Sequence, residues 1–363
     1  MLHVCFAAKG IVLESKNWSG TPYRLATVFR NSFPEITIST LSIPRFQLIK
    51  LWERFYGRFF YLLYTSTCRG FLYPYYISSI RKKINCLNPD WVLFFADDFC
   101  VSQNYSSRIK YAAYIDGNMR RMIAARDDLK PGKRLFMPLF EKRTKKMLNR
   151  LDILFTQNEW TKESIIEDYH IYPNKIFNVG FGINAEMWYG EKDYSNNLLL
   201  IVLRKGVERM KGLYLLLDAF EILKKRVMNV RLAVVGTEEE KRQEGVEYYY
   251  NCPREKTLEL FRAATLYVMP AFREPNGITY LEALANRTPI VGLNRFAFPE
   301  FSGYGKWGFG VEHPEPVELA RILEVALKDK NQLRSMGIEG QQFVADKYRW
   351  ELVARKMYNI MNV

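Results

Sequence analysis

A chain of 363 residues is long enough for two domains, and 48% hydrophobic residues are ample for two cores. Its 53 Lys and Arg against 39 Asp and Glu give a formal charge of +14, which bears on partners (nucleic acid, anionic lipid, anionic small molecules) and not on fold. Five cysteines without a Cys-x-x-Cys pair or metal-ligand spacing argue against a disulfide framework or a zinc site and fit free thiols in a reducing compartment.

The opening MLHVCFAAKG reads as a first strand running into a loop, without the cleavage-like end of a leader. No window reaches the ~18 uncharged apolar residues of a membrane span. A soluble, cytoplasmic protein, at most peripheral to one face of a membrane, is expected. Ser19-Gly20-Thr21-Pro22 follows the first strand and opens a helix with Leu25, Ala26, Val28 and Phe29 on one face. Ser19 or Thr21 would serve as its N-cap.

Residues 45–83 are rich in aromatics, Arg and Lys, with Lys50, Arg54 and Arg58 on one helical stripe. Such a stripe suits an anionic membrane surface, and equally an acceptor wall or a packed helix with snorkelling arginines. Short apolar strands then alternate with amphipathic helices. The strands are HVCFAA, WVLFFA, YAAYID, DILFTQ and FNVGFG, then LLLIVL, VRLAVVG, LYVMPA and PIVGL. That alternation predicts an α/β chain with two doubly wound parallel sheets, in domains 1–184 and 185–349. The polar stretch AEMWYGEKDYSNN (185–197) reads as the linker, and WELVARKMYNIMNV as a last helix. Ligands of such sheets bind beyond the carboxyl ends of the strands, so the loops after strands hold the candidate residues.

The most informative stretch is REPNGITYLEALANRTPIVGL (273–293), which sets Glu274 and Glu282 eight apart around a backbone break. Pro275 biases Glu274 away from helix, and Gly277 allows a turn or a close approach to a ligand. From Ile278 the pattern is helical, with Leu281, Leu284 and Ala285 on its apolar face, until Asn286 and Pro289 stop it. The helix's N–H groups and positive dipole end would face whatever Glu274 faces, which makes a ready anion site. The same spacing also fits a capped surface helix with two solvated glutamates.

EPNGITYLEALANRTPIV resembles the Glu-x7-Glu motif of retaining glycosyltransferases of family 4 (group 1), which have the GT-B fold. LDILFTQNEWTKESIIEDYHIYPNKIFNVGFGIN (151–184) resembles the segment ending that family's first domain. MKGLYLLLDAFEIL (210–223), VRLAVVG (230–236) and CPREKTLELFRAATLYVMPAFREP (252–275) follow in the family's order. The C-terminal half matches almost continuously, the N-terminal half in patches.

The resemblance implies two Rossmann-like domains facing across a cleft, with the last helix returning to the first domain. It implies transfer, with retention, of a sugar from a UDP- or GDP-sugar to a hydroxyl of a glycan, lipid-linked sugar or glycoprotein. Glu274 would lie by the transferred sugar and Glu282 would hold the ribose. Lys211, with Arg204 or Arg209 and the N–H groups of Asn276, Gly277 and Ile278, would hold the diphosphate. Gly20 would sit near the donor phosphates or the acceptor, Gly236 and Thr237 near the nucleotide, and Asn251 and Cys252 would offer backbone to the base. For each of the loop positions a plain structural turn is the alternative.

Many members carry a histidine near Asp116, whereas this chain's His3, His170 and His313 lie elsewhere. Asp116, with Asn118 beside it, would take a hydroxyl-binding or base role, or would cap a turn. No Asp-x-Asp occurs, which argues against a metal-dependent A-type enzyme, so neither metal nor cofactor is expected. A nucleotide-sugar epimerase or phosphorylase on the same fold is the alternative enzyme. A basic, non-catalytic nucleic-acid binder is the other rival, and no RNA-binding or helix-turn-helix motif supports it. GYGKWG (303–308) fits a dinucleotide pattern but lacks the strand and helix such a site requires.

Overall fold

The computed structural model describes residues 2–14, 17–43, 73–95, 108–125, 137–238 and 243–362. The chain forms two units, Met1–Gly182 with Trp350–Val363, and Ile183–Arg349. The division thus falls two residues before the boundary expected at 184.

In the first unit β1 (Leu2–Lys9), β2 (Ile36–Ile43), β3 (Trp91–Phe95), β4 (Lys110–Ile115), β5 (Ile153–Thr156) and β6 (Ile176–Asn178) form one parallel sheet. Their order is β2-β1-β3-β4-β5-β6. Parallel strands are covered on both faces, and so read as continuous apolar runs: all five residues of β3 are buried. The helices are α1 (Thr21–Ser32), α2 (Tyr73–Leu87), α3 (Met119–Ala124), α4 (Met137–Asn149) and α5 (Glu159–Tyr169). Ile80 and Ile84 of α2, Leu148 of α4 and Ile165 and Tyr169 of α5 share one core with Val92, Phe94 and Ala113 of the sheet.

The second unit has β7 (Leu198–Val202), β8 (Arg231–Val235), β9 (Val246–Tyr249), β10 (Leu266–Val268), β11 (Ile290–Leu293) and β12 (Gly308–Val311). They form a second parallel sheet in the order β12-β11-β10-β7-β8-β9. Its helices are α6 (Leu213–Lys224), α7 (Arg254–Ala263), α8 (Ile278–Ala285), α9 (Phe298–Phe301), α10 (Pro316–Lys328) and α11 (Lys330–Lys347). α10 packs on α6, and α8 on α11.

The last helix, α12 (Trp350–Met361), belongs to the first unit and lies on α1. Val353, Ala354, Met357 and Met361 form its buried stripe at helical spacing. Phe33 and Tyr358 stack at 4.4 Å, and the Trp91 indole N–H donates to the Met361 carbonyl at 3.0 Å.

The stretch read as a linker is built into the second unit. Trp188 donates its backbone N–H to Ala285 at 3.1 Å, and the Tyr194 hydroxyl donates to the Arg287 carbonyl at 2.7 Å. The Lys192 ammonium is buried (6% exposed) and donates to the carbonyls of Phe261 and Arg262 at 2.9 and 2.8 Å and to the Thr288 hydroxyl at 2.8 Å. Burial alone pushes its pKa down to about 7. Among the described residues no helix is long and apolar enough to cross a membrane. Most of the aromatic, basic stretch 45–83 lies outside the described residues, and of its side chains Lys82 and Lys83 on α2 are exposed.

Candidate active site

The strand order fixes where the second unit can bind a ligand. From β7 the chain steps outward to β8 and β9, then crosses back to set β10 on the other side of β7. The loops after β7 and β10 therefore part at a topological switch point, where open α/β sheets hold their ligands. The first carries Lys211, the second Glu274.

Glycine lets these two loops touch. Gly212 has φ +77°, and a Cβ there would lie 2.1 Å from the Pro270 carbonyl oxygen. Phe272 also donates its N–H to the Met210 carbonyl at 3.0 Å. The result is an ion pair between Lys211 Nζ and Glu274 Oε2, with only 14% and 17% of the two side chains exposed. Glu274 Oε1 accepts from the N–H groups of Asn276 and Gly277 at 3.1 and 3.0 Å. Gly277, at φ +50°, is the N-cap of α8. Burial raises the Glu274 carboxyl's pKa, but Lys211 and those two N–H groups outweigh it and hold the group below its usual value.

Two of the N–H groups expected to hold a diphosphate, those of Asn276 and Gly277, thus carry Glu274's own carboxylate; the third is that of Ile278, the first residue of α8. A helix end attracts anions, and the anion beside this one is a side chain of the protein itself. A ligand phosphate arriving there would compete with Glu274 for Lys211 and for the helix end.

Arg204 and Arg209 both stand exposed on the loop after β7. That loop is organised by a residue the sequence reading passed over, Glu208. Its carboxylate is 6% exposed, and Oε1 accepts from the Gly206 N–H and the Thr237 hydroxyl, each at 3.0 Å. Burial raises its pKa, and the hydrogen bonds, with Lys205 nearby, bring it below the usual value. Glu208 so ties the β7 loop to the end of β8, where Gly236 (φ +87°) leaves no room for a Cβ, 2.2 Å from the Leu203 carbonyl oxygen. Only a carboxylate beside the Lys211-Gly212 pair could have hinted at this, and one acidic residue in a basic loop carries no pattern.

Glu282 lies inside α8, 6% exposed, and accepts from Arg254 Nη2 at 2.6 Å. Arg254 begins α7, directly after Asn251 (φ +49°, exposed), Cys252 and the N-cap Pro253. The Cys252 sulfur accepts from the Thr257 hydroxyl at 3.6 Å. Both expected base-side residues are therefore in the turn that enters α7.

In the first unit Gly20 is the N-cap of α1, at φ +79° and without a side-chain cap bond. The cap expected from Ser19 or Thr21 is not made: Trp18 and Ser19 are themselves left-handed, at φ 44° and 57°. Trp18 is wedged against Phe95 and Tyr114, with ring centroids at 6.0 and 5.9 Å. Asp116, half-buried at the end of β4, takes the Thr161 hydroxyl on its carbonyl at 3.4 Å. Asn118 has a structural task. Fully buried, it caps α3 through the Arg120 N–H at 3.0 Å and donates to the Ser164 carbonyl and Asp168 at 3.0 and 2.7 Å. Among the described residues no group of three or more His, Cys, Asp or Glu is placed to hold a metal ion.

Two six-stranded parallel sheets with these helices make a two-domain α/β protein of the GT-B class. Sucrose-phosphate synthase from Thermosynechococcus elongatus superposes with a TM-score of 0.68 at 13% identity, over 100% of this chain and 98% of that one. Anabaena Alr3699/HepE, solved in complex with UDP, gives 0.68 at 13% identity, over 99% and 100%.

Within the second unit, residues 191–343 match the family described as Glycosyl transferases group 1. The chain is also 22% identical over 227 residues to the capsular polysaccharide biosynthesis glycosyltransferase CapM of Staphylococcus aureus, covering 56% of this chain and 60% of that protein. For two further curated relatives the matched stretches span 30% and 51% of their lengths.

Proposed function

We propose that the protein is a retaining, metal-independent glycosyltransferase. It would move a hexose-type sugar from a UDP- or GDP-sugar to a hydroxyl of a glycan or glycolipid. The observation that carries this reading is the Lys211–Glu274 ion pair at the β7/β10 switch point, seated on the N-terminus of α8. The family match of this unit and the UDP named in the Anabaena structure agree with it.

In this reading the bond between the sugar's anomeric carbon and the diphosphate oxygen breaks, and its electron pair leaves on the diphosphate. Lys211, one of Arg204 and Arg209, and the helix end neutralise that growing charge, the work a metal does elsewhere. The acceptor oxygen bonds the same carbon on the same face, and its proton passes to the departing phosphate oxygen. Lys211 turns from Glu274 to the phosphate when the donor enters. Glu274 then binds hydroxyls of the transferred sugar and steadies positive charge on its ring. Glu282 holds the ribose, and Asp116 supplies a hydroxyl contact on the acceptor side.

The test is transfer from UDP- and GDP-sugars by the wild type, Lys211→Ala and Glu274→Gln, with a chelator present. Each variant should lose at least about a hundredfold in kcat/KM, the scale for losing one charged stabiliser of a transition state. Full activity in either variant, or loss of wild-type activity to the chelator, would overturn the reading.

A further inference from the structure

Three side chains from the loops after three consecutive strands converge at the carboxyl edge of the second sheet. They are Lys205 after β7, Glu238 after β8 and Tyr250 after β9. Lys205 Nζ pairs with Glu238 Oε2, and the Tyr250 hydroxyl donates to Glu238 Oε1. All three stay open to solvent, at 71%, 40% and 51% exposed. An exposed ion pair contributes little to stability, so the fold itself gains little from this arrangement. Its place is more telling, because ligands of such sheets lie over this edge.

The geometry gives the group a distinct chemistry. Lys205, then Tyr250, hold the Glu238 carboxyl below its usual pKa, so it is ionised and an acceptor only. Among the described residues each oxygen has one partner, and a carboxylate has about four lone-pair positions, so one on each oxygen is offered to a ligand. The Tyr250 ring beside it is an open stacking face, and Asn251 and Cys252 follow directly in the turn before α7. The inference rests on the donor reading above. With a diphosphate at Lys211 beside β7, the nucleoside runs along the edge towards β8 and β9, over this group.

A carboxylate with two open acceptor positions fits a base edge bearing two adjacent N–H donors. Guanine presents that edge, through N1–H and N2–H. Uracil and thymine present one N–H between two carbonyls, which would face the second carboxylate oxygen. Adenine and cytosine set their amino group beside a ring-nitrogen acceptor. We infer that Glu238, fixed by Lys205 and flanked by the Tyr250 ring, is a guanine-selecting clamp and that the donor is a GDP-sugar.

The test is calorimetric binding of GDP, UDP, ADP and CDP to the full chain without metal, for the wild type, Glu238→Gln, Tyr250→Ala and Tyr250→Phe. GDP should bind wild type about tenfold or more tighter than UDP, the scale of one or two hydrogen bonds to a charged group. Glu238→Gln should bring GDP and UDP within about twofold, chiefly by weakening GDP. Tyr250→Ala should weaken every nucleotide together, by roughly tenfold for a lost stacking face, and Tyr250→Phe should restore most of that. UDP binding more tightly than GDP, or a GDP preference untouched by Glu238→Gln, would sink the clamp and leave the donor reading standing. No binding of any nucleotide by the wild type would sink both.

Discussion

Arg254 and Glu282 join the first residue of α7 to the second turn of α8 through one hydrogen bond of 2.6 Å. The arginine side chain is 44% exposed and the glutamate side chain 8%, so one partner is on the surface and the other is set in the wall of the unit. Arg254 therefore orients a carboxylate that would hold a ribose. Arg254→Ala should raise the donor KM about three- to tenfold and leave kcat within about twofold, because the lost interaction serves ground and transition states alike. A fall in kcat at unchanged KM would contradict that role. The stability cost should be about 1–3 kcal/mol, because the buried Glu282 carboxylate loses the donor that Arg254 supplies.

Glu208 holds the β7 loop against the end of β8. Glu208→Ala leaves the Gly206 N–H and the Thr237 hydroxyl without their acceptor, and should cost about 1–3 kcal/mol in urea unfolding. Thr237→Val removes one of the two bonds and should cost about 1 kcal/mol. Both should raise the donor KM, because Lys211 sits on the loop that Glu208 braces. Donor KM values equal to wild type, with stability reduced, would make Glu208 purely structural.

Two glycines of the same loop separate backbone strain from close approach. Both are left-handed, Gly206 at φ +83° and Gly212 at +77°. A Cβ on Gly206 meets nothing within 4 Å, whereas one on Gly212 meets the Pro270 carbonyl at 2.1 Å. Gly206→Ala should cost about 1 kcal/mol, the left-handed penalty alone. Gly212→Ala should cost at least about 2 kcal/mol more and push apart the loops bearing Lys211 and Glu274. Thermal melts of the two variants, with activity alongside, check this; equal costs would mean that the contact between the loops yields freely.

Lys192 gives the stability a pH dependence of known sign. Its pKa in the fold is about 7, below the ordinary 10.5, because burial disfavours the cation. Between those values the unfolded chain binds the extra proton, so stability rises with pH from about 7, by up to about 1.4 kcal/mol per unit from this group. Below about 7 the full penalty of the buried charge is present. Lys192→Met deletes the titration and takes the ammonium from the Phe261 and Arg262 carbonyls, of which Phe261 keeps the Thr288 hydroxyl at 2.6 Å. The wild type's advantage over Lys192→Met in urea melts should therefore grow from pH 7 to pH 9. A constant difference would mean that Lys192 keeps its proton throughout.

The fold was legible in the sequence wherever a strand is covered on both sides. The three strands that the apolar pattern did not reveal, β2, β9 and β12, are all edge strands. A strand paired on one side needs fewer apolar residues: five of the eight residues of ITISTLSI are at least partly exposed, no residue of VEYY is fully buried, and GFGV is half glycine. At the site, Glu274, Glu282 and Lys211 could be read because a helix start and a Lys-Gly pair leave spacing in the chain. Glu208, Lys192 and Arg254 could not, because each acts on partners brought near by folding alone, such as Thr237, Thr288 and Glu282. The left-handed run at Trp18 and Ser19 has no sequence cue either, since non-glycine residues adopt it only when their surroundings enforce it.

The return of α12 to the first unit has a consequence for how the protein is made. Residues 183–349 are contiguous, so during synthesis the second unit holds all its elements before the first unit does. Until residues 350–361 emerge, the side of α1 that α12 covers, Phe33, and the indole N–H of Trp91 have no cover from Tyr358 or Met361. Domains generally fold in the order in which they leave the ribosome. Here the unit begun first is finished last, and a translation pause placed after residue 349 would hold a complete second unit beside a first unit still open along one helix.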